Sequence, residues 1–196
     1  MGRVAGKVVL VTGAARGQGR SHAIRLAEEG ADVIAFDVCA DIGTNEYPLA
    51  TEADLDETAR LVEKAGGRIV AAEVDVRDRA ALEVCLADAV AQLGRLDVVV
   101  ANAGICPLGK HLPAQAFVDA FDVDFVGVVN TVHAALPYLP EAMEETINRR
   151  PAVARAAQEG VKAWVDPEGY RRYVAGQRER FEAAVNTEMG VPPAAK

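Results

Sequence analysis

The feature that most constrains the fold is a glycine-rich turn at residues 12–19, Thr-Gly-Ala-Ala-Arg-Gly-Gln-Gly, which joins an apolar run to a helical stretch. The run is short and apolar, as expected of a buried parallel strand. Gly13 permits a tight exit from this strand, Gly17 lets the backbone approach a phosphate, and Gly19 lets the helix pack closely. Unpaired N–H groups at the helix start then face a pyrophosphate. The turn therefore predicts a dinucleotide site that includes Gly13, Arg16, Gly17, Gln18 and Gly19.

Two hydrophobic periods alternate along the first part of the chain. Short apolar runs predict strands at residues 7–12, 31–36, 68–74 and 96–101. Helical periodicity, caps and terminal glycines predict helices at residues 19–29, from 51 to the glycines at 66 and 67, at 78–93 and at 113–139. This alternation predicts an α/β fold, a partial Rossmann-like doubly wound parallel sheet with strand order 3-2-1-4.

The composition changes near residues 138–140. Residues 1–138 contain 12 basic and 20 acidic side chains, whereas residues 139–196 contain 9 of each. We therefore predict a dinucleotide-binding, Rossmann-like domain at 1–138 and an α-helical tail of uncertain origin at 139–196, without further strands. Helices are expected at 140–149 and 152–164. Another should follow Asp166, with an apolar face formed by Tyr170, Tyr173, Val174, Phe181 and Val185.

Charge and composition exclude several classes of function. The net charge is −8 and the isoelectric point is near 5.0, so the chain should bind neither nucleic acid nor an anionic membrane surface. No stretch reaches about 18 uncharged apolar residues, and no targeting segment is evident, which indicates a soluble, cytoplasmic protein. Three cysteines and three scattered histidines lack metal-ligand spacing, so free thiols and no metal site are expected.

Further polar and glycine residues follow the later predicted strands. Asp37 ends the second strand, where its carboxylate can accept hydrogen bonds from ribose hydroxyls and repel a 2′-phosphate, which favours NAD over NADP. Arg16 is the opposing signal, because a cation beside the turn could attract that phosphate. Asp75 and Val76 follow the third strand, and Asn102, Ala103 and Gly104 follow the fourth. Taken singly, each could be a solvated strand end or a turn, but ligands bind at the carboxyl ends of such strands.

These motifs together resemble the cofactor half of the short-chain dehydrogenase/reductase family, over residues 1 to about 138. The segment from Asp37 to Thr51 resembles the carveol-dehydrogenase-like, mycofactocin-associated branch, whose members prefer tightly held NAD. The resemblance implies hydride transfer between a nicotinamide and a small alcohol or ketone. It also implies a catalytic Tyr with a Lys four residues later, and a Ser that orients the substrate oxygen.

The sequence departs from this pattern in its catalytic residues. The residues four positions after Tyr47, Tyr138, Tyr170 and Tyr173 are Thr, Ala, Val and Gln, and Ser21 is the only serine. Asp124 stands where the family has an Asn, and the family's fifth strand is not evident. No catalytic residue is therefore assigned, and whether the chain is an enzyme stays open. The alternatives are a non-catalytic nucleotide- or partner-binding module and a truncated or fused reading frame. The outer edge of strand four would then be a possible surface for homo-oligomer formation.

Overall fold

The computed structural model describes residues 2–109, 112–139 and 167–188. Its four strands are β1 (Val8–Thr12), β2 (Asp32–Asp37), β3 (Ile69–Glu73) and β4 (Val98–Val100). All pair in parallel, in the order β3-β2-β1-β4. The predicted fold class and strand order are therefore confirmed; β1, β3 and β4 lie inside the predicted ranges, and β2 extends one residue beyond its range, to Asp37.

Three helices connect these strands, namely α1 (Gly17–Glu28), α2 (Glu52–Lys64) and α3 (Arg79–Leu93). The Thr51 hydroxyl caps α2 by accepting from the Asp54 N–H, and the Asp54 carboxylate accepts from the Thr51 N–H, which completes a capping box. The Asp78 carboxylate caps α3 by accepting from the Ala81 N–H. The predicted helices are thus present, although α1 begins two residues earlier than expected.

The core lies on both faces of the sheet because successive strand residues point to opposite sides. Leu10, Ile34 and Phe36 belong to one buried cluster, which includes residues of α3. Val9 and Val33 belong to the other cluster, which includes residues of α1 and α2. The central strands β1 and β2 are almost completely buried, whereas the outer strands β3 and β4 are partly exposed.

The long helix predicted at 113–139 is interrupted. It consists of α4 (Ala114–Phe121), a π-helical turn (Asp122–Val126), α5 (Gly127–Ala135) and a 3-10 turn (Leu136–Tyr138). The expectation of one continuous α-helix was therefore wrong. A π turn inserts one extra residue into the helical repeat, a feature often associated with functional sites. Apolar periodicity cannot reveal such an insertion.

The described part of the tail is a single helix, α6 (Pro167–Glu188). Phe181 stacks on Phe121 of α4 with ring centroids 4.6 Å apart, and Arg178 pairs with Asp122 at 3.1 Å. The predicted helices at 140–149 and 152–164 lie outside the described residues, as do the side chains of Tyr170 and Tyr173. Within the described ranges, no helix combines the length and apolarity needed to cross a membrane.

Candidate nucleotide-binding cavity

A cavity of about 330 Å³ lies at the carboxyl ends of the strands. All eleven residues that the sequence suggested as a cofactor site line it: Gly13, Arg16, Gly17, Gln18, Gly19, Asp37, Asp75, Val76, Asn102, Ala103 and Gly104. They come from four separate segments, which the parallel sheet brings to one edge. The structure therefore assembles the whole predicted set around a single opening.

The turn after β1 requires glycine at two positions. Gly13 has a φ of +65°, and a Cβ there would lie 2.8 Å from the Ala103 Cα. A Cβ on Gly19 would lie 1.9 Å from the Gly13 carbonyl oxygen. These contacts place the β1 exit, the α1 start and the β4 end directly against one another, which leaves the backbone of the turn facing the cavity.

The start of α1 leaves backbone donors at this edge. Its N-cap residue, Arg16, makes no side-chain capping bond, and the first turn contains no acidic residue. Such an end attracts anions through its N–H groups and its dipole. The Arg16 Nη2 donates to the Pro48 carbonyl oxygen at 2.6 Å, so this guanidinium contacts the loop that follows β2. Arg20 supports the turn from behind by donating to Ala15 O and to Thr58 Oγ1.

Asp37, at the end of β2, is buried and oriented by backbone donors. Its Oδ2 accepts from the Ala15 N–H at 2.9 Å, and its Oδ1 accepts from the Cys39 N–H at 3.2 Å. Cys39 has a φ of +49°, which turns its N–H back toward this carboxylate. Burial, followed by the charge of Asp37, raises the pKa of the Cys39 thiol to about 12. The Asp37 carboxylate is therefore held beside the glycine-rich turn.

Asp75, after β3, is held by a neighbouring cation. Its carboxylate accepts from the backbone N–H, Nε and Nη2 of Arg77, the last at 2.6 Å. The carboxylate still lines the cavity, but its orientation depends on Arg77. The next residue, Val76, is fixed by the buried Asn130, whose Nδ2 donates to the Val76 carbonyl oxygen at 2.9 Å.

Asn102 locks the ends of β4 and β1 together, as the sequence suggested. Its Nδ2 donates to the carbonyl oxygens of Thr12 at 2.9 Å and Gly13 at 3.2 Å. The hydroxyl of Thr12 in turn accepts from the N–H groups of Asn102 and Ala103. This two-way network fixes the position of the backbone that leads to Gly104.

A family model described as short chain dehydrogenase matches residues 7–147. The chain belongs to the short-chain dehydrogenase family. A (-)-trans-carveol dehydrogenase of Rhodococcus erythropolis is 48% identical over 142 residues, which is 71% of this chain and 51% of the relative. An uncharacterized NAD-dependent oxidoreductase of Mycobacterium tuberculosis is 46% identical over 165 residues, covering 83% of this chain and 58% of the relative.

A solved structure gives the same family relation. The carveol dehydrogenase from Mycobacterium avium in complex with NAD superposes with a TM-score of 0.68 at 51% identity, covering 71% of this chain and 51% of that one. This short-chain dehydrogenase chain spans about half the length of the curated relatives that it matches.

The cavity also has a wall that sequence reasoning missed. Ile42, Tyr47 and Leu49, from the loop after β2, line it together with Val123 of the π turn. The Tyr47 hydroxyl accepts from the Cys106 N–H at 3.1 Å, and the Thr44 hydroxyl bonds Asp119. These bonds join the loop to the segments after β4. Apart from the aromatic and aliphatic residues in a turn-rich loop, no sequence signal indicated this role.

Asp124, in the π turn, contacts the segment that follows β4. Its Oδ1 accepts from the Ile105 N–H at 2.9 Å, and a Cβ on Gly104 would come within 3.3 Å of it. Burial raises the pKa of this carboxyl, and the Ile105 N–H partly opposes that effect. The π turn thus uses Asp124 to hold the segment after β4. In the described part of the chain, no cluster of three His, Cys, Asp or Glu side chains could hold a metal ion.

Proposed function

We propose that this chain binds NAD(H) in the cavity at the carboxyl ends of β1 to β4. The carrying observation is that eleven residues from four segments, suggested by sequence alone, line one opening. The donors at the start of α1 suit a pyrophosphate, and Gly13 and Gly19 keep the turn compact. The NAD named for a solved relative supports the same ligand.

The proposed preference for NAD over NADP rests on Asp37. Two N–H groups hold its carboxylate at the cavity wall, where it would accept ribose hydroxyl hydrogen bonds. Two unit charges about 5 Å apart repel by roughly 3 kcal/mol at an effective dielectric constant of about 20. A 2′-phosphate beside Asp37 would meet this repulsion. Arg16 is the competing charge, but its Nη2 is engaged by Pro48.

Calorimetric titration of NAD⁺ and NADP⁺ tests this proposal. The chain should bind NAD⁺ more tightly, and Asp37→Asn should improve NADP⁺ affinity by about tenfold after screening, because it removes the charge but keeps an oxygen for the Ala15 N–H. Asp88→Asn is the matched control, since Asp88 is exposed on α3 and does not line the cavity. Equal affinities of the unaltered chain for both cofactors would contradict the preference, and no binding of either would contradict the site.

We further propose that the chain descends from dehydrogenases that transfer hydride between a nicotinamide and a small alcohol or ketone. It would catalyse this reaction only if another group supplied the proton donor. Its own 196 residues contain no Tyr-x-x-x-Lys, and Ser21 lies on α1. The cofactor-binding role and the catalytic role are therefore separable.

A second proposed role is self-association through the outer edge of β4. In the described residues β4 pairs with β1 alone, and Val98 is 36% exposed. The Asp97 N–H donates to the Val8 carbonyl oxygen, so the alternate N–H groups of β4 point to the other side. An unpaired apolar edge favours pairing with another strand.

Sedimentation velocity over a range of concentrations tests this second role. Self-association should weaken in Val98→Lys, because a charged side chain on an edge opposes strand addition. Val84→Lys is the control, since Val84 is 65% exposed but lies on α3. A monodisperse monomer of the unaltered chain, or equal weakening by both substitutions, would contradict an edge-specific contact.

A further inference from the structure

A second cavity, of about 660 Å³, is lined by residues of α3, α5 and α6 and by residues next to them. It shares no lining residue with the nucleotide-binding cavity, and its volume is in the range of small-molecule sites. Its charged lining consists of four arginines and one carboxylate: Arg77, Arg79, Arg171, Arg178 and Glu83. This is a local concentration of positive charge in a chain whose net charge is −8.

Carboxylates hold three of these guanidiniums in place. Arg77 pairs with Asp75 at 2.6 Å, and Arg79 pairs with Glu83 at 2.7 Å. Arg178 pairs with Asp122 at 3.1 Å through Nη2 and with Glu182 at 2.9 Å through Nε. A guanidinium carries five N–H donors, so Arg77 and Arg178 retain donors for a further acceptor. The carboxylates therefore orient the arginines without exhausting them.

Arg171 differs from the other three. It is exposed on α6, and among the described residues no carboxylate lies within ion-pair distance of it. The helix that carries it is docked on α4 by the stacking of Phe181 on Phe121. Arg171 thus lines the cavity without a carboxylate partner among the residues that the structure describes.

We propose that this arginine-lined cavity binds a compact oligoanion that carries phosphate groups. A single monovalent anion would gain little, because three of the arginines are partly neutralised. An oligoanion that bridges several guanidiniums would gain a charge-assisted bond from each, and the planar fork of arginine suits phosphate oxygens. Val126 and Val174 also line the cavity, so a small carbon framework fits beside the charges. The acidic chain as a whole opposes binding of an extended polyanion such as nucleic acid.

Isothermal titration of the full chain with inorganic pyrophosphate at low ionic strength tests this proposal. Arg171→Gln should weaken binding by about tenfold, the usual loss of one hydrogen-bonded charge, and Arg171→Lys should restore part of it. Arg180→Gln is the matched control on the same helix, because Arg180 is exposed, donates to its own helix at Gly176 O and does not line the cavity. The affinity of Arg180→Gln for pyrophosphate should equal that of the unaltered chain.

Pyrophosphate could instead bind the glycine-rich turn, so Arg16→Gln is measured in parallel. The proposal expects an Arg171-dependent pyrophosphate site in the unaltered chain and in Arg16→Gln alike, whatever the effect of Arg16→Gln on binding at the glycine-rich turn. Loss of pyrophosphate binding in Arg16→Gln but not in Arg171→Gln would overturn the proposal. So would equal affinities of Arg171→Gln and Arg180→Gln, or no detectable binding to the unaltered chain.

Discussion

Replacing Gly19 with alanine should destabilise the fold, although alanine is the better helix former. The new Cβ would lie 1.9 Å from the Gly13 carbonyl oxygen and 2.8 Å from the Asn102 Nδ2. Real Cβ atoms almost never come within 3.0 Å of another heavy atom, so the backbone must move by about 1.1 Å. Overpacking of this kind costs about 1–3 kcal/mol, and here the contact is with backbone, which cannot rotate away.

The expected balance is a net loss. Alanine gains up to about 1 kcal/mol of helix propensity over glycine, so a contact with backbone at the upper end of the overpacking range should make Gly19→Ala lower the free energy of unfolding by up to about 2 kcal/mol. Moving the turn should also weaken NAD⁺ binding by more than tenfold, because the displaced N–H groups no longer match the pyrophosphate. Urea denaturation and calorimetric titration measure the two effects.

Gly176→Ala supplies the matched control. Gly176 lies in α6, and a Cβ there would meet no atom within 4 Å, so the substitution should be neutral or stabilising. If Gly19→Ala were as stable as Gly176→Ala and bound NAD⁺ normally, the argument from close backbone approach at the turn would be refuted.

Two further predictions concern the buried carboxylate of Asp97 and the thiols of Cys39 and Cys106. Burial alone would raise the pKa of Asp97, but hydrogen bonds from Arg95, Val8 and Lys7 hold this pKa below its ordinary value of 3.8. The ionised carboxylate therefore stabilises the folded state above pH 3.8. This stabilisation is lost as the pH falls through the lower pKa that Asp97 has in the folded state. Asp97→Asn should therefore cost about 1–2 kcal/mol at pH 7 in urea denaturation, and less at pH 3. In peptide mapping after brief iodoacetamide treatment at pH 8, the exposed Cys106 should be alkylated before Cys39, whose pKa is about 12; faster alkylation of Cys39 would contradict this.

The site residues that the sequence predicts are those that directly follow the strands. Parallel strands end at one edge, so residues directly after each strand, such as Asp37 and Asn102, must meet there whatever the loops do. The glycines of the turn are equally informative, because the close approach at Gly13 and Gly19 admits no side chain. Local pattern therefore suffices to bring the eleven residues to one cavity, and their binding of a cofactor stays a prediction.

The remaining wall depends on contacts between distant segments. Tyr47 reaches the cavity because its hydroxyl meets the Cys106 N–H, 59 residues away. Similarly, Thr58 is buried on α2 because its hydroxyl donates to the carbonyl oxygens of Ala14 and Ala15, which lie more than 40 residues away. Neither contact has a local signature, and the same is true of the π turn that positions Asp124.

The final prediction is that the isolated chain shows no turnover of NAD⁺ or NADH with secondary alcohols, cyclic terpene alcohols or their ketones. Hydride transfer to a carbonyl needs a positioned proton donor, worth roughly 10²–10⁴ in rate. Tyr47 is the one phenol among the residues that the structure places at the nucleotide-binding cavity, and its oxygen accepts from Cys106 N–H. Arg16 is the one cation in that described lining, and it donates to Pro48.

Tyr47 therefore stands as part of the cavity wall, joined to the segment after β4 by its bond from the Cys106 N–H, and no Lys lies four residues after it. Asp124 is no substitute, because its Oδ1 is committed to the Ile105 N–H. Spectrophotometric assay at 340 nm of the chain and of Tyr47→Phe decides the matter. Turnover that survives purification and disappears in Tyr47→Phe, while NAD⁺ affinity is retained, would show that this phenol is the proton donor and that the family's Tyr-Lys pair is dispensable here.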